Sequence, residues 1–324
     1  MKILLTGAFG NVGVSTLKAL AGRGHTLRCF DIATPANQKV AAQFGNAIET
    51  QWGDITKPAD VVKAVEGMDV VLHIAAIIPP LSEKIPDKAK AVNVGGTQNI
   101  IDAMEKSTVN GKHPRLIFCS SISVLGRNRD RSKPVSVDEP LAPSDNYSHH
   151  KVACEGMIRA SKLEWSILRL NAVMPIKLDQ FDPIMFEISL EGQVEFVHTM
   201  DVGLALANAA ESDKVWGKVL LIGGGKNCQY RYREFFTKAL NTTGVGMLPE
   251  NAFGHNFFYS DWMDTSESQA LLNYQRHNYD DYLKEIDGLL SWRKPVIRLL
   301  RPVIRRVLLS KSPYYGKPQE RKAA

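Results

Sequence analysis

Short apolar runs alternate with amphipathic helical patterns along the first two thirds of the chain. The runs are rich in Val, Ile and Leu and show little polar alternation, which is typical of strands buried on both faces of a sheet. This alternation of strands with helices predicts an α/β fold built on a doubly wound parallel sheet. We predict strands at residues 3–5, 26–30, 48–52, 70–74, 116–119, 166–170 and 218–222, and helices at 12–21, 59–65, 87–106 and 146–161.

The pattern changes after Gly225, where aromatic, polar and turn residues become more frequent. Small helices and loops are expected there, in a small C-terminal lobe. We therefore expect a main domain at 1–175 completed by 194–225, the small lobe at 176–193 and 226–288, a basic helical tail at 289–311, and disorder at 312–324.

The composition adds several exclusions. The 324 residues are enough to bury a large core, and 44% of them are hydrophobic. No secretory leader is evident, and no apolar stretch reaches the roughly 18 residues that cross a membrane. The four cysteines show no pair spacing, and no His, Cys or carboxylate cluster has metal spacing, so we expect a cytoplasmic protein without disulfides or a metal.

Three glycines lie between the first predicted strand and the helix that follows. In a strand–turn–helix context, Gly7 allows a tight turn, Gly10 leaves room for a pyrophosphate, and Gly13 lets the helix pack closely on the strand. The spacing is Gly-x-x-Gly-x-x-Gly, and an ordinary glycine-containing turn is the alternative. Asp31 ends the second strand, where a carboxylate can accept both ribose hydroxyls and repel a 2′-phosphate. With Ile32 next to it, the pattern favours NAD over NADP, although a solvated Asp that caps a turn is the alternative.

With "YSHHK" at 147–151 added, the chain resembles the extended short-chain dehydrogenase/reductase family, including its NAD-dependent epimerase/dehydratase group. The resemblance implies a Rossmann-type sheet with the small lobe selecting a small-molecule substrate. It covers roughly residues 1–225. The matching segments, in chain order, are "TGAFGNVG", "WGDI", "VLHIAA", "NVGGTQNI", "FCSSISVLG", "LRLNAVMP" and "FVHTMDVGLAL".

The resemblance also implies individual roles. Tyr147 would act as the proton donor or acceptor, Lys151 would assist it and hold the nicotinamide ribose, and Ser121 would hold the substrate oxygen. Asn93 would help in a proton relay through water. The cofactor-binding residues implied are Gly7, Phe9, Gly10, Asn11, Val12, Gly13, Asp31, Asp54, Ile55, Ala75, Ala76, Asn93, Tyr147, Lys151 and Val173.

The chemistry explains why these residue types occur together. Hydride transfer at an alcohol carbon leaves one proton to be moved. A free phenol, with a pKa of about 10, is a poor base at neutral pH. Lys151 lies four residues after Tyr147 and so shares its helix face, where its ammonium, together with the positively charged nicotinamide ring, favours the tyrosinate.

Three classes of function remain open. The first is an oxidoreductase acting on a secondary alcohol or ketone, the second an epimerase that recycles its own hydride, and the third a non-enzyme that keeps the fold. Met174 in place of the family's Gly, the short segment 176–193 and the apolar "IIPPL" at 77–81 argue against a nucleotide sugar. Ile122, where dehydratases need an acid, argues against dehydration. The intact Ser, Tyr and Lys set argues against the third class, and we favour the oxidoreductase.

The remaining histidines have structural interpretations. His149 and His150 are expected on the helix surface or behind the site, and His73 in the core or beside the cofactor. His198 with Asp201 is a substrate contact or, as we favour, a structural hydrogen bond at a strand end.

The tail at 289–311 predicts a basic amphipathic helix kinked by Pro295 and Pro302. Its apolar face would hold Leu289, Trp292, Val296, Leu299, Leu300, Val303, Ile304, Val307 and Leu308, with arginines largely off that face. Such a helix lies peripherally on the inner face of a membrane, or docks on the protein itself or a partner copy. No nucleic-acid partner is expected, because the charge is confined to the tail. The resemblance alone implies a homodimer formed through the Tyr147 helix and its neighbour near Asn93.

Overall fold

A computed structural model describes residues 1–127, 130–178 and 182–316 of the chain. Its main sheet has seven strands, all parallel, in the spatial order β3-β2-β1-β4-β5-β6-β9. The seven predicted strands and the doubly wound sheet are therefore confirmed. The strands are β1 (Lys2–Thr6), β2 (Thr26–Asp31), β3 (Glu49–Trp52), β4 (Val70–His73), β5 (Arg115–Ser121), β6 (Trp165–Leu170), β7 (Ala172–Val173), β8 (Gln193–Val197), β9 (Val219–Ile222) and β10 (Gln229–Arg231).

The helices flank this sheet and build the small lobe. The predicted helix at 87–106 is instead α5, a π-helical turn at Ala91–Gly95 and then α6, in uninterrupted succession. The helices are α1 (Asn11–Leu20), α2 (Pro35–Ala41), α3 (Pro58–Val65), α4 (Leu81–Lys84), α5 (Pro86–Lys90), α6 (Gly96–Lys106), α7 (Asn146–Ala160), α8 (Thr199–Glu211), α9 (Tyr232–Thr242), α10 (Ser266–Leu272), α11 (Tyr279–Leu290), α12 (Arg293–Leu299) and α13 (Arg301–Ser310).

Both faces of the sheet are buried. Ile3 and Leu5 of β1 face the core that α1 and α8 cover, whereas Leu4 faces the core that α3, α6 and α7 cover. All three side chains are fully buried. This double burial explains why the strands lack polar alternation.

A second core lies in the small lobe. It is rich in aromatic rings, and Phe235 of α9 stacks on Tyr279 of α11 at 4.1 Å between ring centroids. A three-stranded sheet, β10-β8-β7, borders it. The sequence assigned 194–225 to the main domain, but β8 belongs to this small sheet because it pairs antiparallel with β10. The full division into domains stays a prediction.

The tail forms two helices, α12 and α13, that break at Leu299–Arg301. The single apolar face expected for it is divided. Ile304 and Leu308 pack on the second core, while Trp292 and Leu299 are exposed. None of the described helices combines the length and the apolar character needed to span a membrane.

Residues 312–316 differ from the expected disorder. The Ser312 hydroxyl donates to the carbonyl of Ala252 at 2.6 Å, and Ser312 itself is buried. Tyr314 lies so close to Gly254 that a Cβ there would come within 2.7 Å of its ring. The rest of the segment expected to be disordered, 317–324, lies outside the described residues.

Candidate active site

The glycine turn after β1 is built by close contacts that larger residues would obstruct. Gly7 has φ of +65°, and a Cβ there would lie 2.8 Å from the Cα of Ala75. A Cβ on Gly13 would lie 2.3 Å from the carbonyl oxygen of Gly7. Gly10 caps α1 without any side-chain hydrogen bond, so the N–H groups of the first turn are available to an anion.

Asp31, at the end of β2, is held by three donors. Its Oδ2 accepts from the N–H of Phe9 at 3.0 Å, and its Oδ1 accepts from the N–H of Ile32 at 2.8 Å and from Asn37 Nδ2 at 3.1 Å. Burial raises the pKa of Asp31, although the two backbone hydrogen bonds oppose the rise. The carboxylate borders the same cleft as the glycine turn.

A single cleft of about 900 Å³ joins most of the residues that the sequence singled out. It lies where the strand order reverses between β1 and β4, the place where parallel sheets of this kind bind ligands. Phe9, Asn93 and Lys151 do not line it. The predicted residues that do are Gly7, Gly10, Asn11, Val12, Gly13, Asp31, Asp54, Ile55, Ala75, Ala76, Ser121, Tyr147 and Val173.

Tyr147 and Ser121 meet in this cleft. Tyr147 lies in the first turn of α7, Ser121 ends β5, and both line the cleft. Burial raises the pKa of Tyr147 above its usual value, and the hydrogen bond with Ser121 opposes the rise. The phenol is therefore protonated at neutral pH in the protein alone, and the expected stabilisation of a tyrosinate by Lys151 together with bound nicotinamide stays a prediction.

Lys151 lies behind Tyr147. Its Nζ donates to the carbonyl oxygen of Cys119 at 2.6 Å and lies 5.7 Å from the centroid of the Tyr147 ring. The side chain is buried, and burial lowers its pKa. The ammonium thus supplies a positive charge near the phenol. It carries three donors and uses one on Cys119, and its contact with a ribose stays a prediction.

Asn93 lies in the π-helical turn and holds the chain that follows β4. Its Oδ1 accepts from the N–H of Ile77 at 2.7 Å, and its Nδ2 donates to the Ile77 carbonyl at 2.9 Å. Its Nδ2 also lies 3.4 Å from Nδ1 of His150, which is buried behind the site, whereas His149 is exposed. In this arrangement Asn93 positions the cleft wall, and its role in a proton relay stays a prediction.

The cleft wall beside Tyr147 is apolar. The segment after β4 contributes Ile77, Ile78, Pro79, Leu81 and Ile85 to the lining. It lies against α7 because the carboxylate of Glu83 accepts the N–H groups of Asn146 and Tyr147, each at 3.2 Å.

Ile122 does not contribute to the wall. It is buried in a separate apolar cluster with Val135, Leu221 and Met263. The position that would carry an acid in a dehydratase is thus occupied by a core side chain.

Sequence reasoning missed several lining residues. Asn37, in α2, donates to Asp31, and its position six residues after that carboxylate was the available signal. Lys88, in α5, is the one cation among the described lining residues, and its charge helps to lower the pKa of Asp54 after the larger effect of hydrogen bonding from Thr56. Asn171 lines the cleft and donates to the carbonyl of Asp261 at 2.7 Å.

The other histidines lie outside the cleft lining. His73 is buried between the hydroxyls of Thr6 and Thr97, and burial, aided by the charge of Lys151, lowers its pKa to about 3.

His198 caps α8, and its ring stacks on that of His277 at 4.4 Å. Asp201 lies beside these two histidines, and one potential metal-ligand atom from each of the three residues lies within 4.8 Å of the others. Sequence spacing could not reveal this group because His277 is distant in the chain. Its oxygens accept from the N–H groups of Arg276 and His277 and from the His277 ring. Asp201 is thus hydrogen-bonded to the segment at His277, while the His198 ring contacts His277 by stacking and accepts from the N–H of Met200.

The residues present fit an NAD-type dinucleotide. The glycine turn packs so closely that a Cβ at Gly7 or Gly13 would collide with neighbouring backbone, and the uncapped start of α1 offers N–H groups to phosphates. Asp31 offers an acceptor for ribose hydroxyls at the same cleft. The neighbouring residues Ile32 and Asn37 carry no positive charge for a 2′-phosphate.

Comparisons with known proteins agree with this geometry. The chain is 32% identical over 179 residues to 3-beta-hydroxysteroid dehydrogenase of Mycolicibacterium neoaurum, covering 52% of this chain and 45% of that protein. It is 28% identical over 185 residues to UDP-glucose 4-epimerase of Dictyostelium discoideum, covering 54% and 52%. The chain thus spans about half the length of the relatives that it matches.

A solved structure shows the same fold over nearly the whole chain. It is a short-chain dehydrogenase/reductase superfamily protein from Agrobacterium tumefaciens with bound NAD, and it matches with a TM-score of 0.73 at 21% identity, covering 94% of this chain and 100% of that one. The model of the 3-beta hydroxysteroid dehydrogenase/isomerase family matches residues 4–166, half of the chain. The resemblance to extended short-chain dehydrogenases/reductases is confirmed, and the chain belongs to the 3-beta hydroxysteroid dehydrogenase/isomerase family.

Proposed function

We propose that this protein is an NAD-dependent oxidoreductase that interconverts a secondary alcohol and a ketone on an apolar, hydroxysteroid-like substrate. One observation carries the proposal. Tyr147 and Ser121 lie in one cleft with the glycine turn, next to an apolar wall, and Ser121 acts to lower the pKa of Tyr147. The family and the hydroxysteroid dehydrogenase relative support the substrate class.

The chain's own residues would move the proton. NAD, when bound, supplies the hydride acceptor. Ser121 holds the substrate oxygen with its hydroxyl, and Tyr147 takes the proton of an alcohol or gives one to a ketone oxygen. The raised pKa of Tyr147 suits the second direction, because the phenol keeps its proton at neutral pH.

Two further groups assist. The Lys151 ammonium, 5.7 Å from the Tyr147 ring centroid, stabilises negative charge on the phenol oxygen as the proton leaves. Asn93 fixes the backbone of Ile77 and so keeps the apolar wall in place. That wall excludes water and favours a substrate with a large apolar surface.

An epimerase with internal hydride recycling is the second candidate, supported by the similarity to a UDP-glucose 4-epimerase. The two candidates differ in how they use the cofactor. A dehydrogenase releases NADH in step with substrate consumption, whereas an epimerase retains its NAD and produces no net NADH. The apolar lining residues Ile77, Ile78, Pro79, Leu81 and Ile85 favour the dehydrogenase because a nucleotide sugar requires polar partners.

The test combines a substrate screen with a conservative variant. NADH formation is followed with hydroxysteroids and, separately, with nucleotide sugars. Tyr147→Phe should lower kcat by about 10²- to 10⁴-fold, the usual contribution of general acid–base catalysis, while the Kd for NAD stays nearly unchanged. Tyr315→Phe, at an exposed tyrosine, is the matched control and should keep full activity. Turnover of nucleotide sugars without NADH formation would overturn the dehydrogenase, and loss of NAD binding in Tyr147→Phe would mean that the residue is structural.

The proposal extends to a homodimer. The exposed side of α7 carries Ala153, Gly156 and Ala160 at helical spacing, and such small side chains let two helices approach closely. Ala153→Arg should therefore shift the mass measured by light scattering from dimer to monomer.

A cytoplasmic location, with peripheral contact to the inner face of a membrane through 289–311, completes the proposal.

A further inference from the structure

The helices α12 and α13 expose several large apolar side chains. Leu299 is 80% exposed and Trp292 is 73% exposed, although each side chain would bury well in a core. Scattered exposed apolar residues are ordinary, but a cluster on two consecutive helices indicates an interaction surface. We call this set the docking face, and its members are Trp292, Val296, Leu299, Leu300, Val303 and Val307.

The opposite side of the same helices is anchored to the small lobe. Ile297, Ile304 and Leu308 pack on the second core. Arg305 donates to the carbonyl oxygens of Val245, Gly246 and Met247 at 3.1, 2.9 and 2.7 Å. Arg301 also donates to the Val245 carbonyl, at 2.9 Å. The docking face is therefore preformed by the fold.

The charged side chains of residues 289–316 themselves have one sign. Residues 289–316 contain seven Lys and Arg side chains and no Asp or Glu. Arg301 and Arg305 donate hydrogen bonds to the carbonyl oxygen of Val245, and Lys294 forms an ion pair with Asp287. Among the described residues, no ion pair involves the other four cations, which are Arg293, Arg298, Arg306 and Lys311.

These charges distinguish between two possible partners of the docking face, a second copy of the chain and an anionic bilayer. A second copy of the chain would form a symmetric interface and bring identical cationic rims together, which costs free energy. A bilayer that carries anionic headgroups offers both a hydrocarbon boundary for the apolar residues and a negative surface for the cations.

We propose that the docking face seats this protein on the surface of an anionic phospholipid bilayer. Leu299, Leu300 and Val303, at the break between the helices, enter the acyl boundary. Arg293, Arg298 and Arg306 contact the headgroups, and Trp292 lies at the interface, where its ring is favoured. This arrangement gives residue-level form to the membrane contact of the proposed function, and it does not depend on the proposed chemistry.

Vesicle flotation with the full chain tests the proposal. Vesicles of phosphatidylcholine alone are compared with vesicles that also contain about 30% phosphatidylserine, at about 0.1 M and about 0.5 M NaCl. Wild type should bind the anionic vesicles at low salt and should lose most of that binding at high salt or without phosphatidylserine.

Two double variants identify the surface. Leu299→Asp with Val303→Asp removes the apolar contact, and Arg298→Glu with Arg306→Glu reverses the rim charge. Each should lower the partition coefficient by about tenfold or more. The matched controls, Val62→Asp on α3 and Lys39→Glu with Lys106→Glu, change equally exposed residues elsewhere and should leave binding within about twofold of wild type.

Other results of these experiments would overturn the proposed membrane contact. Failure of wild type to bind anionic vesicles overturns the proposal, and so does equal binding to uncharged vesicles or equal binding by the docking-face variants. If those variants instead convert a dimer to a monomer in sedimentation experiments, the face is an interface between copies. NADH formation, measured without vesicles, should persist in both double variants, so failure here is distinguishable from failure of the proposed chemistry.

Discussion

At the scale of single residues, Asp31 decides which dinucleotide the cleft accepts. Its carboxylate is oriented by three donors before any ligand arrives, and its negative charge opposes a 2′-phosphate. Asp31→Asn removes the charge and keeps the shape. We expect the variant to bind NAD about tenfold more weakly, because hydrogen bonds to a charged acceptor contribute about 1.5 to 3 kcal/mol, and to bind NADP relatively better.

Calorimetric titration of both dinucleotides measures this ratio of affinities. Asp213→Asn is the control, since Asp213 is 92% exposed on the side chain and lies outside the cleft lining. Equal affinity of wild type for NAD and NADP would show that Asp31 does not select the cofactor.

The protonation of Tyr147 predicts different pH profiles for the two directions. Because burial raises its pKa, the phenol stays protonated through neutral pH, and ketone reduction should change little between about pH 6 and about pH 8. Alcohol oxidation needs the phenolate and should rise with pH by up to about tenfold per unit until another step limits the rate.

The check is kcat against pH at saturating substrate in each direction. Ser121→Ala should displace the oxidation profile to higher pH, because the hydrogen bond from Ser121 lowers the Tyr147 pKa. Oxidation that is already independent of pH near neutrality would contradict this assignment of the proton donor.

At the scale of elements, a buried ion pair fixes α7 against the sheet. Glu155 of α7 accepts from Arg169 of β6 at 2.8 Å and from the hydroxyl of Ser120, next to Ser121, at 2.7 Å. Burial raises the pKa of Glu155, but these hydrogen bonds and the Arg169 charge outweigh burial and lower it overall. Glu155→Gln leaves Arg169 buried without its partner and should lower the free energy of unfolding by about 3 kcal/mol at neutral pH.

The sign of the pH dependence follows from the lowered pKa. A carboxyl with a depressed folded-state pKa stabilises the protein above its unfolded value, about 4.3 for Glu, and that contribution is lost as pH falls through the folded pKa. The difference between wild type and Glu155→Gln in urea unfolding should therefore be full at neutral pH and shrink below about pH 4. Glu267→Gln, in an exposed pair with Lys218, should change little at any pH, and a difference for Glu155→Gln that grows in acid would refute the argument.

Elements buried on both faces could be predicted from the sequence, whereas local departures from regular geometry could not. The strands were recognisable because β4 and all of β1 except Lys2 are buried, and the glycine turn because close backbone contacts exclude other residues there. The π-helical turn at Asn93 has no periodic signal distinct from that of an α-helix. Likewise, the hydrophobic residues of the tail recur at helical spacing and predict a single apolar face. Contacts of the tail with the backbone of residues 245–247 decide which of these residues are buried.

The same contrast holds for the candidate site. Tyr147, Ser121 and the glycine turn were identifiable because each residue type at its spacing has a chemical reason. Lys151 was correctly placed near Tyr147 by its spacing of four residues, but its hydrogen bond to Cys119 depends on β5, which spacing does not describe. Glu83 is similar, because its contact with the start of α7 joins segments that are distant in the chain.

At the scale of the whole molecule, Asp201 links the two cores. It lies in α8, which packs on α1 beside the main sheet, and its carboxylate accepts from the N–H groups of Arg276 and His277 and from the His277 ring. That segment leads directly into α11, whose Tyr279 lies in the second core. The side chain of Asp201 is fully buried, so its oxygens replace water for these donors.

Asp201→Ala should therefore loosen the small lobe more than the main sheet. The change leaves two backbone N–H groups without acceptors, and we expect the free energy of unfolding to fall by about 3 kcal/mol. Hydrogen exchange locates the effect, since amides of α11 should lose protection while those of α1 keep theirs. Asp213→Ala, at an exposed ion pair, should leave both within experimental error of wild type. If α1 and α11 instead lost protection equally, the two cores would unfold as one cooperative unit, and the apolar contacts between them, not Asp201, would hold the small lobe in place.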